Sequence, residues 1–114
     1  MRVLVCGSRR YTDYEKIRDT LFWLPTSALV IHGAARGADT LAHRAARSLG
    51  LRIEKYPADW DKYGPAAGPI RNRQMLDTGV DLVIAFRVEG VPSTGTDDCT
   101  AEAKRRGIEV REYN

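Results

Sequence analysis

The sequence has few cysteines and no long apolar run. These two features argue against a membrane protein and against a secreted protein with disulfides. Its longest purely apolar run is residues 82–86, far below the about 18 residues that a membrane helix requires. Residues 1–30 contain no apolar stretch typical of a signal peptide. Its two cysteines, Cys6 and Cys99, form neither a C-x-x-C pair nor a disulfide framework, and both read as core residues. We therefore expect a cytoplasmic protein with no membrane partner.

Several motifs that carry catalysis or cofactors are also missing. There is no G-x-x-x-x-G-K-[ST] motif, which excludes an ordinary P-loop nucleotidase. The first turn lacks G-x-G-x-x-G, and no acid follows the second predicted strand to bind a dinucleotide ribose. A G-x-S-x-G elbow is absent, and the spacing of His32 and His43 fits no metal motif. We expect no cofactor and no metal.

The cationic residues are dominated by arginine. The net charge is only +3, but 14 of the 18 cations are arginine. The guanidinium offers a rigid fork of donors that matches phosphate oxygens two at a time, whereas lysine serves equally well for solubility. This bias suggests an anionic partner, with solvated surface arginine as the alternative.

The 114 residues suit one domain, and their hydrophobic pattern indicates its class. Short β-branched runs alternate with amphipathic stretches. The pattern predicts strands near 3–6, 29–32, 52–56, 81–86 and 109–112, and helices near 12–24, 38–49, 69–79 and 96–106. This alternation implies right-handed parallel crossovers. We expect a single Rossmann-like three-layer α/β domain over residues 1–114, with a parallel five-stranded sheet in the order 3-2-1-4-5.

The candidate site follows from this topology. In such sheets ligands bind at the carboxyl ends of the strands, beside the point where the strand order reverses. Glycines after strands let an anion approach the backbone, helix N-termini attract it, and arginines add full charge. The candidate ligand-binding residues at this edge are Gly7, Ser8, Arg9, Gly33, Arg36, Gly37, Asp39, Trp60, Arg71, Asn72, Gly95 and Thr96.

Structural interpretations of the same residues stay open. Asp39 can simply stabilise the first turn of its helix, and Trp60 can close one end of the core instead of stacking on a base. His32 is expected to be a satisfied structural histidine, and His43 to pair with Asp39 on the surface. Asn72 falls on the apolar stripe of its helix and therefore needs a polar partner.

Five motifs, taken in order, carry a resemblance that covers nearly the whole chain. They are V-x-V-C-G-S-R, H-G-A-A-R-G-A-D, Y-P-A-D-W, A-G-P-I-R-N-R-Q-M and T-G-T-D. Together they resemble the SLOG superfamily in its YspA/YpsA-related branch, which is similar in fold to the lonely-guy phosphoribohydrolases and to the DprA proteins. The resemblance implies a Rossmann-like domain that binds a nucleotide-derived ligand.

The resemblance also bears on catalysis. Lonely-guy enzymes carry an arginine in R-K-x-x-M and a glutamate in P-G-G-x-G-T-x-x-E. The first motif is matched by Arg71 and Met75, so the resemblance implies Arg71 as a candidate catalytic residue. The second retains Gly95 and Thr96 but has Cys99 in place of the glutamate, and a thiol cannot take over the work of that carboxylate. The departure favours binding over hydrolysis.

Two acids affect where a phosphate is expected. Asp97 and Asp98 lie in the first turn of the last predicted helix, where they suit the helix dipole but would repel a phosphate. We therefore expect the phosphate nearer Arg36 and the segment 7–9 than Gly95 and Thr96, unless a divalent cation mediates.

Three functions follow from these observations. The leading one is sensing or sequestration of a nucleotide-derived small molecule. The second is phosphoribohydrolase-like cleavage of a nucleoside monophosphate, with the carboxylate supplied by Asp39, Asp59 or Asp98. The third is single-stranded nucleic-acid binding of the DprA type, which would use basic residues on the helices. Those residues are Arg44, Arg47, Arg105 and Arg106. A homodimer is possible through the exposed side of residues 22–23.

Overall fold

The central sheet of the computed structural model, which describes residues 1–114, is parallel throughout. Its strand order is β3-β2-β1-β4-β5, which confirms the predicted 3-2-1-4-5 topology. The order reverses between β1 and β4, so the carboxyl ends of these two strands border the expected site. The strands are β1 (Arg2–Gly7), β2 (Leu29–His32), β3 (Arg52–Lys55), β4 (Leu82–Phe86) and β5 (Glu109–Tyr113).

Burial separates the central strands from the edge strands. The residues of β2 and β4 are buried throughout, as are the four inner residues of β1. These strands are covered on both faces and therefore read as continuous apolar runs. The edge strands β3 and β5 carry exposed charged residues, which protect their unpaired backbone groups from pairing with other chains.

Helices cover both faces of the sheet and complete the three predicted layers. They are α1 (Tyr14–Phe22), α2 (Ala38–Ser48), α3 (Trp60–Tyr63), α4 (Ala67–Asp77) and α5 (Thr94–Arg105), with a 3₁₀ turn at Gly64–Ala66. Since side chains alternate along a strand, Val3 and Val5 pack in the core with α1 and α2, while Leu4 and Cys6 pack with α4 and α5. None of these helices has the length and apolar character to cross a membrane.

One short helix was not predicted, and three predicted helix starts are off by two residues: those of α4 and α5, and that of α1, which begins at Tyr14. The segment expected to be a loop before Pro69 contains α3 and the 3₁₀ turn, and α4 begins two residues earlier at Ala67. The reason for α3 is local, because the Asp59 carboxylate accepts a hydrogen bond from Lys62 N at 3.1 Å and caps the turn. The last helix starts at Thr94 rather than Thr96.

Candidate functional site

A cavity of about 430 Å³ lies at the carboxyl edge of the sheet, where the strand order reverses. Its walls come from the loop after β1, from α4 and from the segment that leads into α5. The volume is that of a small-molecule site. Nine of the twelve candidate residues line it: Gly7, Ser8, Arg9, Asp39, Trp60, Arg71, Asn72, Gly95 and Thr96.

The other three candidates lie outside the lining of the cavity. Arg36 is exposed and forms no ion pair. Gly37 has a φ of +74°, and a Cβ there would collide with the backbone of Ser8 and Arg9. At Gly33 a Cβ would collide with the guanidinium of Arg71. The space next to Gly33 is therefore occupied by Arg71, whereas the sequence suggested that it admits an anion.

Arg71 is a fixed cation in the wall of the cavity. Its side chain is only 8% exposed. Its Nε donates to Asn72 Oδ1 at 3.0 Å, and its Nη1 donates to the Gly33 carbonyl oxygen at 2.5 Å. Nη2 has no hydrogen bond within the protein, and no carboxylate forms an ion pair with this guanidinium. A buried charge held by neutral acceptors is still available to an anionic ligand.

Asn72 has the polar partners that its position on the apolar stripe requires. Its Nδ2 donates to the Gly95 carbonyl at 3.2 Å and to Asp98 Oδ2 at 3.0 Å. Its Oδ1 accepts from Arg71. Both amide protons are thus used inside the protein, so Asn72 ties α4 to the start of α5 and orients Arg71.

The loop after β1 is held by the backbone of Ser8. Its N–H donates to Phe86 O at 2.8 Å, its carbonyl accepts from Ala38 N at 3.1 Å, and its Oγ accepts from Arg10 N at 3.1 Å. The hydroxyl proton remains available as a donor. Gly7 is required by packing, because a Cβ there would collide with the Phe86 carbonyl and the Ala38 side chain.

The first turn of α5 borders the cavity through residues 94–96. The N-cap residue Ser93 makes no side-chain capping bond, and the first backbone bond of this helix runs from Asp97 N to Ser93 O. The amides of residues 94–96 therefore have no acceptor in the helix. Such amides, at the positive end of the helix dipole, form a site for anions.

The two acids of this turn are neutralised by arginines. Asp97 pairs with Arg87 at 2.8 Å, and Asp98 pairs with Arg73 at 3.3 Å. Asp98 lines the cavity, but Asn72 also donates to it. The predicted repulsion of a phosphate from Gly95 and Thr96 is therefore weakened by contacts that the sequence does not reveal.

Asp39 stabilises the loop after β2 and also reaches the cavity. Its Oδ2 accepts from Gly33 N at 3.0 Å and from Ala35 N at 3.2 Å. Burial raises the pKa of this carboxyl to about 6, against the opposing effects of the Ala35 hydrogen bond and the Arg71 charge. Its Oδ1 has no hydrogen bond within the protein. The geometry of Asp39 is thus compatible with a structural role in the turn and with a role in ligand binding.

The two histidines form a structural pair. His32 Nδ1 accepts from Ala34 N at 2.9 Å, and His32 Nε2 lies 2.8 Å from His43 Nδ1. The first bond requires an unprotonated Nδ1, so Nε2 carries the proton and donates. Burial, followed by the charges of His43, Lys55 and Arg71, lowers the pKa of His32 to about 4. His32 is a satisfied structural histidine, as predicted, while the predicted Asp39–His43 pair is wrong.

Arg9 and Trp60 are exposed side chains at the rim of the cavity. The Arg9 Cζ lies 5.9 Å from the ring centroid of Trp60. Trp60 is 49% exposed and lines the cavity, so it does not close the core. Asp59 caps α3 and lies outside the cavity. Sequence reasoning missed Arg10, which also lines the cavity; its place directly after Arg9 in the loop following β1 was the available signal.

The fold is a Rossmann-like α/β domain with a cavity at the carboxyl edge of its sheet. The family model for the YspA, cpYpsA-related SLOG family matches residues 1–63. The gene 61 protein of Mycobacterium phage D29 is 40% identical over 118 residues, covering 96% of this chain and 93% of that protein. The chain belongs to the YspA, cpYpsA-related SLOG family.

A solved structure shares the fold. The X-ray structure of DNA processing protein A (DprA) from Streptococcus pneumoniae matches with a TM-score of 0.61 at 18% sequence identity. The match covers 96% of this chain and 57% of the DprA chain, so the chain spans somewhat more than half of that protein. At this identity the likeness shows the Rossmann-like SLOG fold.

Proposed function

We propose that this protein binds a nucleotide-derived small molecule in the cavity, as a sensor or a sequestering protein of the cytosol. The observation that carries the proposal is the convergence of three unpaired donors on one cavity. They are Arg71 Nη2, the Ser8 hydroxyl and the first-turn amides of α5. Membership of a SLOG family supports a nucleotide-related ligand.

The phosphate is assigned to these donors. A phosphate has several acceptor oxygens, and a guanidinium and backbone amides together supply charge-assisted hydrogen bonds without a metal. Arg71 is already oriented by Gly33 and Asn72, so little side-chain entropy is lost on binding. Arg36 takes no part in this assignment, because it lies outside the cavity.

The sugar is assigned to Asp39. Its Oδ1 has no partner in the protein and can accept from ribose hydroxyls, while Oδ2 remains bound to the Gly33 and Ala35 amides. The rest of the ligand then extends toward the rim at Trp60.

Arg71→Gln and Arg36→Gln form a matched pair for testing this function. Thermal shift and calorimetry with nucleoside monophosphates should show binding by the wild-type protein, since ligand at 100 times its Kd adds about 2.7 kcal/mol of stability. Arg71→Gln should weaken the affinity about 10- to 100-fold, the loss expected of a hydrogen bond to a charged group. Arg36→Gln should bind like the wild type.

Two outcomes would contradict the proposal. The first is that no phosphorylated nucleoside shifts the melting temperature while an unphosphorylated ligand does. The second is that Arg36→Gln weakens binding as much as Arg71→Gln does, which would place the anion outside the cavity.

Hydrolysis is a second candidate function, favoured by the environment of Asp39. Of the three carboxylates considered, Asp59 is outside the cavity and Asp98 is bound by Asn72 and Arg73, whereas Asp39 has a free oxygen and a pKa of about 6. A carboxylate of that pKa can exchange a proton near neutral pH. Water oxygen would bond to C1′ as the C1′–N bond breaks, and the departing base would take up the proton.

Mass spectrometry distinguishes this reaction from binding alone. Cleavage would release free base and ribose 5-phosphate from a nucleoside monophosphate. Asp39→Asn should then stop the release of base, while nucleotide binding is weakened by loss of the ribose contact but kept through the phosphate donors. If the wild-type protein releases no free base, the hydrolase function is excluded and the binding function stands.

Nucleic-acid binding is less well supported by the surface. Arg105 and Arg106 both pair with Glu102, and Arg44 stacks on Tyr14 at 4.7 Å from the ring centroid. These contacts engage three of the four predicted basic residues, whereas Arg47 is exposed and makes no side-chain contact of this kind. A homodimer through Phe22 and Trp23 stays a prediction; their side chains are 58% and 82% exposed.

A further inference from the structure

The mouth of the cavity carries one planar cation facing one large aromatic ring. The guanidinium of Arg9 lies over the indole of Trp60, with Cζ 5.9 Å from the ring centroid. Both side chains are exposed, and both line the cavity that holds the proposed phosphate donors. The two flat groups therefore bound the space through which the non-phosphate end of a ligand must pass.

The two partners differ in how firmly they are held. Trp60 is the first residue of α3, whose turn is capped by Asp59, and its indole sits against Gly68. A Cβ on Gly68 would lie 3.4 Å from Trp60 Cη2, so the ring lies close to the first turn of α4. Arg9 makes no side-chain hydrogen bond and no ion pair. Its head group is therefore free to move.

We infer that Arg9 and Trp60 clamp the nucleobase of the ligand, with the planar heteroaromatic ring held between guanidinium and indole. This assignment rests on the proposed function and adds to it the part of the ligand that the rim recognises. Stacked rings keep their centroids about 4.5–7 Å apart. The 5.9 Å between Arg9 Cζ and the Trp60 ring centroid is already within this range, so a base fits between them only when Arg9 swings outward. No bond within the protein opposes that movement.

The clamp gives Arg9 a different role from Arg71. Arg71 is buried in the wall of the cavity and is assigned to the phosphate, whereas Arg9 is exposed and its Cζ lies over an aromatic ring. Arginine stacks on aromatic faces in a way that the point charge of lysine does not. Every base has a π-face, so a clamp of this kind accepts different bases and strongly separates ligands with a base from ligands without one.

The test compares adenosine 5′-monophosphate with ribose 5-phosphate, which lacks the base. Trp23→Phe leaves Trp60 as the only tryptophan, because the chain has two. In this background the nucleotide should quench Trp60 fluorescence, and ribose 5-phosphate should not. Calorimetry should show about 5- to 150-fold tighter binding of the nucleotide, the gain expected from stacking one base.

Two further variants separate stacking from charge. Trp60→Leu should bring the affinity for the nucleotide close to that for ribose 5-phosphate, while leaving the latter unchanged. Arg9→Lys keeps the positive charge but loses the planar face, so it should reduce the same advantage several-fold. Circular dichroism of both variants checks that the fold is retained.

The possible failures are distinguishable. If the nucleotide and ribose 5-phosphate bind equally, or if Trp60→Leu weakens both to the same extent, the clamp is wrong and the phosphate assignment stands. If Arg9→Lys weakens both equally, Arg9 serves the phosphate. If neither compound binds, both the clamp and the proposed function fall.

Discussion

The guanidinium of Arg71 occupies the space that a side chain on Gly33 would fill, and its Nη1 donates to the Gly33 carbonyl oxygen at 2.5 Å. The two residues lie on different elements, one at the carboxyl end of β2 and the other in α4. The glycine after β2 thus serves the placement of a buried cation.

Gly33→Ala should therefore act through Arg71. The new methyl group would displace the guanidinium, and such overpacking costs about 1–3 kcal/mol. In the Arg71→Ala background the same methyl group meets no guanidinium, so it should cost much less. A double-mutant cycle from urea unfolding measures this coupling. Strictly additive free energies of unfolding would show that the two residues do not compete for the space.

Asn72→Ala should lower the free energy of unfolding more than Arg73→Gln, a substitution at its exposed neighbour. The variant leaves Arg71 Nε without its acceptor, and an unsatisfied buried group costs about 1–3 kcal/mol. The matched control is Arg73→Gln, which breaks half-exposed ion pairs worth at most about 1 kcal/mol. Urea midpoints at constant m-value compare the two. Equal losses would mean that Asn72 is not the bridge between α4 and α5.

Asp39 and His32 should give opposite pH dependences of stability. The folded pKa of Asp39 is raised to about 6 by burial, so the folded state holds this proton longer, and stability falls as pH rises from about 4 to 6. The folded pKa of His32 is lowered to about 4 by burial, so the unfolded state takes up this proton first. Stability is then lost as pH falls from about 6.5 to 4.

Single variants should separate these two contributions. Asp39→Asn should leave stability rising with pH through this window, and His32→Asn should leave it falling. The change in unfolding free energy across the window should be about 3 kcal/mol for each group, because each pKa is shifted by somewhat more than two units and one unit is worth about 1.4 kcal/mol. The measurement is the urea midpoint at several pH values between 4 and 7. Parallel profiles for the two variants would contradict these assignments.

Both thiols should resist modification in the native protein. The hydrogen bond to Cys99, followed by burial, raises the pKa of Cys6, although this residue borders the cavity. The nucleophile is the thiolate, so labelling at neutral pH should be on the order of 100-fold slower than in urea. A thiol-specific chromogenic reagent gives the rate, and Cys99→Ala isolates Cys6. Rapid labelling of either thiol in the folded state would contradict the burial described here.

Hydrophobic periodicity was sufficient to predict the sheet. The runs of β1, β2 and β4 are apolar because both faces are covered, and this property is visible in the sequence. The short helix α3 and the 3₁₀ turn were not predicted, because capping by Asp59 is a local contact that periodicity does not register. The starts of α1, α4 and α5 were two residues off, since the ends of helices carry the weakest periodic signal. Nine of the candidate residues line one cavity because parallel topology brings their loops to one edge.

The sequence by itself determined the parallel α/β architecture and the gathering of glycines, arginines and Ser8 at one edge, since both follow from the order and period of the chain. Tertiary structure alone decided what each residue does there. Arg71 fills the space beside Gly33, Asn72 bridges two helices, and Arg36 lies outside the cavity. The physical reason is that a side chain's partners come from distant segments, and their distances and burial are set only when the layers pack.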